Sequence, residues 1–519
     1  MIRSILCCLA GALAGALAGA LAGPVAAQTP IPPLAVTPEP APAPAQVEPA
    51  PVQRAPQSDE PMGALEAPPD DPLTLDQVLA SSLAYFPSIK ESLAERRARL
   101  GGRLAAEGEF DIQAKADSFA RTSGFWDGRV FDGELRKRLD FTGAEVFGGY
   151  KVSDGAFPIY EDINFTDTAG AFKLGFLFSL LRDRAFDPQR FGRMNAALEV
   201  ALAEFDLLLT QVSVQHRAIE AYTSWLAAGQ QLAILSDLLE LALQREVGLI
   251  RRVEQGDAPE ILITENRQNI LRRQILVTEA ERDLELAANA LSLYLRGAEG
   301  RPKRPDPDRM PIVFPDLEAP LPGEMEQDIE RSLALRPELN KLAVNLEQAR
   351  GRLRLNRNEL LPRLDFGFEY QRDVGEVAEG GISRQGNDTI VSLNFSLPLE
   401  RSLARGRIAE QRARIDALQF RKQRLNEQIA IEIRNILNNL LAARSLARLA
   451  QEQVTQARTM ALAEQRRFEE GASDFFLVNL REEAEANARV NLVQAQLNYL
   501  IEVANYYAAT VDLQKLGIR

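Results

Sequence analysis

The residues able to do chemistry in this 519-residue chain are few in kind and poorly grouped. There is one histidine, His216, and there are two cysteines, Cys7 and Cys8, against 73 carboxylates. Catalysis by an imidazole base, a thiolate or a bound metal needs several such groups at spacings that one element can bring together. His216 stands between Gln215 and Arg217 in a long helical stretch and reads as an ordinary surface residue. No glycine-rich phosphate loop or metal-ligand spacing accompanies it, so neither an enzyme nor a cofactor is expected. The acidic residues that do recur in a pattern flank two glycines, in Glu254-Gln255-Gly256-Asp257 and Glu469-Glu470-Gly471-Ala472-Ser473-Asp474. Their chemistry is electrostatic: they can solvate a turn, cap a helix or ring an opening with charge.

The elements that must position those glycines are very long helices. From Leu399 to Leu516 the chain has no proline and no glycine after Gly406 except Gly471. Alanine, leucine, glutamate, glutamine and arginine dominate both flanks, and all are strong helix formers. Leu425, Ile429, Ile433, Ile436 and Leu440 upstream, then Leu480, Ala484, Ala488 and Leu492 downstream, recur at helical spacing. The upstream flank predicts about 100 Å of helix and the return flank about 60 Å. Gly471 is then the tip of an antiparallel hairpin.

The chain repeats this plan. Ser82-Leu83-Ala84-Tyr85-Phe86-Pro87 matches Ser332-Leu333-Ala334-Leu335-Arg336-Pro337, and Arg251-Arg252-Val253-Glu254-Gln255-Gly256 matches Arg466-Arg467-Phe468-Glu469-Glu470-Gly471. Each half reads as short helix, proline, helix, β region, long helix, glycine tip and return helix. The first repeat spans 73–297, with strands at about 111–181 and long helices at about 188–296. The second spans 324–519, with strands at about 363–398 and helices at about 402–515. A proline-rich linker, 298–323, joins them. Thr74 with Gln77 predicts a capping box, Ser88 with Glu91 a second, and Pro188 opens the first long helix.

Ahead of both repeats, residues 1–27 carry Arg3, an apolar run and Val25-Ala26-Ala27 before Gln28, the pattern of a secretory signal peptide. Cys7 and Cys8 precede the apolar run, which makes a lipoprotein leader the weaker reading, and the mature chain is then cysteine-free. Residues 28–72 form a Pro/Ala-rich linker. The net charge of −13 argues against a nucleic-acid partner and reads mainly as solvation of long helices.

The β segments alternate sharply. Phe172, Leu174, Phe176 and Phe178, then Leu364, Phe366, Phe368 and Tyr370, then Val391, Leu393, Phe395 and Leu397 each occupy one face, with Ile112, Ala114 and Ala116 a weaker fourth. Eight to ten residues with one apolar face suit a membrane-barrel strand as well as a half-buried sheet. Sixteen of the 34 aromatics lie between Phe110 and Phe191, as an aromatic girdle requires. Four strands cannot close a barrel, so a membrane position demands oligomerisation. About 35 residues extra to the first repeat predict a further hairpin turning at Thr142-Gly143. Lys137 would face lipid if that hairpin crossed a bilayer, so it is expected on the extracellular rim.

With these features the chain resembles TolC-type outer-membrane efflux proteins over about residues 73–515. The resemblance rests on the duplicated strand-and-hairpin layout, the leader, the glycine tips, and the return helix through Asn487, Ala495, Asn498, Tyr499 and Leu500. It implies a mixed fold: duplicated long antiparallel α-helical hairpins forming a helical tube, plus a four-strand share of an oligomeric transmembrane β-barrel. It further implies a homotrimer with a barrel of about twelve strands, set in outer-membrane lipid and reaching into the periplasm. At the tips it implies docking of a periplasmic adaptor (membrane fusion protein) and an inner-membrane pump, with Gln255, Gly256, Asp257, Glu470, Gly471 and Ala472 as the docking residues. The family's best-known member carries gate aspartates just past its second tip. Leu477 and Leu480 stand there instead, so the candidate periplasmic entrance ring comprises Glu469, Glu470, Asp474, Leu477 and Leu480. The rival reading is a periplasmic coiled-coil adaptor or another structural protein of an envelope-spanning complex. Adaptors carry one hairpin in a β-rich chain, whereas two are read here, ending on helix.

Overall fold

The computed structural model describes residues 71–140, 142–317, 325–377 and 387–518. The leader and nearly all of the Pro/Ala linker fall outside the described residues, as does part of the inter-repeat linker.

Each repeat is built on one very long helix. The first runs α1 (Leu75–Tyr85), α2 (Pro87–Gly108), β1 (Gln113–Ala120), β2 (Arg129–Arg138), β3 (Ala144–Asp154), β4 (Ala171–Ser179), α3 (Pro188–Glu254) and α4 (Ile261–Ser292). The second runs α5 (Met325–Leu335), α6 (Pro337–Asn358), β5 (Arg363–Asp373), β6 (Asn387–Ser396), α7 (Ser402–Glu469) and α8 (Phe475–Thr510). Helices α3 and α7 have 67 and 68 residues, each about 100 Å long. Their return helices have 32 and 36 residues and reach only about halfway back. Helix α2 packs along α3 and α6 along α7, so each long helix has a partner along both its sheet-proximal and its tip-proximal part. Arg96 to Glu204 and Arg99 to Glu199 link α2 with α3 at 3.4 and 3.7 Å.

Helix starts follow the local code with one exception. Thr74 and Gln77 form the expected capping box, and Asp187 caps α3 with Pro188 in its first turn. The box expected at Ser88 and Glu91 is absent. Pro87 fixes its own φ and starts α2 two residues earlier, with Phe86 as a cap that offers no side-chain acceptor.

The main core is a belt where the two repeats meet partway along the long helices. Trp225, Ile219, Leu226, Leu291, Val503, Tyr507 and Leu516 are buried together there with Val78 and Leu79 of α1. Tyr222 donates from its hydroxyl to the Leu73 carbonyl at 2.7 Å, tying the segment ahead of α1 to α3. His216 is not a surface residue. It lies half-buried and shares a 2.7 Å hydrogen bond with Asn505 of α8, because the belt packs α8 across that face of α3.

The strands form one antiparallel meander in the order β1-β2-β3-β4-β5-β6, with β4 against β5 joining the repeats. The four-strand share is therefore corrected to six. The additional hairpin is β2 and β3, inserted between β1 and β4 in unbroken register. The register explains how a strand as charged as β2 enters an amphipathic sheet. Phe131, Gly133 and Leu135 share the face of Val146, Tyr150, Phe176, Phe368, Leu393 and Phe395, whereas Asp132, Glu134, Arg136 and Arg138 lie on the other. There Lys173 pairs with Asp132 and Glu134, and Glu145 with Arg136 and Arg138. These partners come from other strands, so the balance is invisible along β2 alone.

The rim position expected for the Thr142-Gly143 turn is also corrected. Asp140 accepts from Arg193 of α3 at 3.2 Å, and a Cβ at Gly143 would come within 2.4 Å of the Asp183 carbonyl. The turn thus sits at the helical end of the sheet, and Lys137, next to it, is near a strand end. A cysteine at Thr142 is expected to resist a bulky impermeant thiol reagent on intact cells, whereas one at Phe125, in the β1–β2 loop at the far end, reacts. Equal labelling at both would restore the rim placement.

Burial in the belt pushes the Tyr222 hydroxyl up from 10.0 to about 12, with a smaller push from Asp76. Because its folded pKa lies above its unfolded one, its contribution to stability is complete below pH 10 and is lost as pH rises towards 12. Thermal melting across that alkaline window is expected to fall less steeply in Tyr222→Phe than in the parent. An identical slope would remove Tyr222 from the account.

Candidate functional site

The two tips are built alike. In the first, the Gly256 and Asp257 amides donate to the Val253 and Arg252 carbonyls at 3.0 and 2.9 Å. In the second, the Gly471 and Ala472 amides donate to Phe468 and Arg467 at 3.0 and 2.7 Å. Both glycines hold left-handed angles, φ +80° and +74°, so both helices end in the same Schellman closure. No atom lies within 4 Å of a Cβ built at either glycine, so backbone conformation rather than crowding calls for glycine there. The docking residues Gln255, Gly256, Asp257, Glu470, Gly471 and Ala472 are all exposed at these turns.

Within one copy the expected entrance residues make separate contacts. Asp474 caps α8, accepting from the Leu477 amide at 2.8 Å, and Glu469 accepts from Gln465. Leu477 is half-buried, Leu480 and Glu470 are exposed, and Phe475 and Val478 turn inward between them. A carboxylate that sequence reasoning missed lies deeper: Glu464 is buried and accepts from Ser473 across the turn and from Arg467.

A second missed feature sits farther along the hairpins. Arg245 of α3 pairs with Glu482 of α8 and donates to Asn479 at 2.8 Å. Arg273 of α4, only 1% exposed, reaches the same Glu482 at 3.3 Å and donates to the Leu238 carbonyl at 2.6 Å. Arg272 pairs with Glu483. One carboxylate thus binds both arms of the first hairpin to the return arm of the second. Burial pulls the Arg273 guanidinium below its ordinary range, with Glu482 opposing that pull. Arginines in helices are usually solvated, and only the fold brings these three elements together; an arginine pair opposite Glu482-Glu483 was the one signal available. Glu482→Ala strands Arg273 without its counter-charge, at a cost of about 3–5 kcal/mol. Thermal melting of the purified protein is expected to drop accordingly, with Glu482→Gln in between. An unchanged melting temperature would show the cluster to be dispensable.

The third functional surface is the charged face of the sheet. Besides the pairs to Lys173 and Glu145, Asp365 accepts from Ser179 at 2.8 Å and from Arg363 at 2.6 Å. Gly175 leaves room for the Phe147 ring, with Arg136 over that ring at 5.4 Å. Phe119, Phe147, Phe157 and Phe165 thus lie on the polar side, so the aromatic cluster of the first repeat divides between the two faces. The opposite face presents Phe172, Leu174, Val391, Leu393 and Phe395 to the surroundings, all exposed in the single chain. A sheet apolar on one face and charged on the other is what the wall of a water-filled barrel requires. No helix among the described residues is long and apolar enough to cross a membrane, and no group of their side chains could hold a metal ion.

Residues 329–510 match the family model described as outer membrane efflux protein. No curated protein matches the chain. Among solved structures it is similar to the outer-membrane protein VceC of Vibrio cholerae, at 15% identity and TM-score 0.58, over 84% of this chain and 96% of that one. It is similar to the CmeC outer-membrane channel of Campylobacter jejuni, at 13% identity and TM-score 0.58, over 91% and 98%. It is likewise similar to the open state of the MtrE outer-membrane channel of Neisseria gonorrhoeae, at 13% identity and TM-score 0.58, over 86% and 89%. The chain therefore shares the fold of these outer-membrane channels, and its residues 329–510 match the outer membrane efflux protein family.

Proposed function

We propose that three copies form an exit duct that takes cargo from an inner-membrane pump, through a periplasmic adaptor seated on the helical tips, to the cell exterior. The observation carrying this reading is the open sheet. Strands β1 and β6 each leave one edge unpaired beside an apolar face, and lipid does not tolerate open edges. Pairing β6 of one copy with β1 of the next satisfies both edges and closes a ring. Three six-strand shares make a barrel of about eighteen strands, roughly half again as wide as one of twelve. Outer-membrane lipid covers the phenylalanine-rich face, and the charged face lines the water. The family description of residues 329–510 supports efflux as the duct's role.

At the entrance, Glu469 and Glu470 supply the charge that neighbouring tips present to one another, with Leu477 and Leu480 where the family's best-known gate has aspartates. The Arg245-Glu482-Arg273 cluster, not an acidic ring, holds the hairpins together within each copy. Gly256→Val and Gly471→Val force left-handed backbone on a β-branched residue, at about 1–2 kcal/mol each. Both are expected to lower efflux in a susceptibility assay while the detergent-extracted protein still runs as a trimer. Normal efflux in both variants would overturn tip docking, and a wild-type chain that runs as a monomer would overturn the duct itself.

A further inference from the structure

The segment between β3 and β4 does not stand clear of the sheet. It folds back over the charged face and is fastened there along its length. Phe157 packs with Phe165 against Val130, and its ring meets Phe119 edge-on at 6.4 Å. The backbone at Gly128 passes so close that a Cβ would lie 2.4 Å from the Phe157 ring. Ser153 and Thr166 exchange hydrogen bonds, amide to hydroxyl in both directions, at 2.9 and 2.8 Å. Lys151 donates to the Ile163 carbonyl at 2.6 Å, and Arg121 forms an ion pair with Glu161 at 2.6 Å. The wall partners Phe119, Val130, Lys151 and Ser153 all share the face of Glu134 and Lys173, the face turned from lipid.

Fastening this segment leaves three large apolar side chains uncovered. Ile159, Tyr160 and Ile163 lie on a short 3-10 turn and are 92%, 82% and 78% exposed. They cannot serve as lipid contacts, because the turn that carries them is bound to the polar side of the wall. Apolar groups held in place without burial need a reason, and a narrowing of a water-filled passage is one.

We propose that segment 155–170 is an inward collar of the barrel's outer mouth, and that Ile159, Tyr160 and Ile163 set the size of what leaves. This rests on the trimeric reading. With strands about 4.8 Å apart and tilted about 40°, a barrel of about eighteen strands has a backbone radius of roughly 18 Å. A collar about 10 Å thick, the packing distance of one layer on a sheet, brings the knuckles of three copies to roughly 14 Å from one another. The β2–β3 insertion widens the wall, and the segment that follows it narrows the mouth.

Two measurements on the full-length protein in outer membranes test this, with Cys7 and Cys8 replaced by serine. Tyr160→Cys is treated with a flexible bis-maleimide spanning about 15 Å. Covalent dimers and trimers are expected, and none from Phe125→Cys in the neighbouring loop. If Tyr160→Cys yields only monomer while an untargeted lysine cross-linker captures trimers, the collar is overturned and the duct stands. If no trimer is captured by either reagent, both fall. In the second measurement, Ser392→Cys, on the charged face of β6, reports passage through the mouth on intact cells. Large polymer-linked maleimides are expected to label it at least about threefold faster when Ile159, Tyr160 and Ile163 are glycine. Equal rates, with small maleimides labelling both, would overturn the collar.

Discussion

Everything in this fold answers to one constraint: a backbone amide or carbonyl facing lipid must be hydrogen-bonded by protein. The chain meets it within a copy by a six-strand meander whose every neighbour is antiparallel and in register. At β1 and β6 it cannot meet it alone. The helices inherit the consequence, because α3 leaves directly from β4 and α7 from β6. In the proposed trimer the long helices continue whatever ring the strands close, so that assembly places a helical tube beyond the sheet.

A helix of about 100 Å is not stabilised by its own propensity, and here it is braced in relays. Helices α2 and α6 accompany the sheet-proximal part, α4 and α8 the rest, and the Trp225 belt clamps the junction. Beyond the belt the packing thins to small clusters around Ile234, Leu238 and Val493, and ion pairs take over. A hydrophobic clamp there would tie the hairpins more strongly. An ion-pair cluster tolerates rearrangement better, because water can replace each partner once the arms separate. Packing along the hairpins thus runs from hydrophobic at the belt to ionic nearer the tips.

The parts of this architecture legible in sequence are those encoded locally. Helix length, the capping box at Thr74, the two glycine tips and the phenylalanine alternation of β4 and β5 each depend on residues a few positions apart. The parts that were not legible depend on partners far away. Lys137 sent the added hairpin to the rim because a charge on that face is costly mid-bilayer, whereas the register pairs it with Val146 near the strand end, beside the Leu139–Ala144 turn. Arg136 and Arg138 are both answered by Glu145 on β3, a pairing that no spacing along β2 reveals. Arg273 looked like any exposed helical arginine, and its burial arises only where α4 meets α3 and α8. Local spacing cannot express such pairings, and a chain with many arginines offers many false candidates.

The duplication itself has an instructive limit. The two tips share closure geometry down to the hydrogen-bond pattern, yet their chemistry diverges immediately afterwards. Past Gly471, Ser473 binds the buried Glu464 and Asp474 caps the return helix. Past Gly256, Asp257-Ala258-Pro259 leads into α4, whose first residue has Glu260 before it and no side-chain cap. The backbone turn is kept because only the left-handed glycine reverses a helix in so few residues. The side chains are free to differ because nothing packs on the glycines from outside. A partner that touches both turns therefore meets one shape presented with two charge patterns. In the proposed duct, one docking geometry would repeat at both turns with a different charge pattern at each.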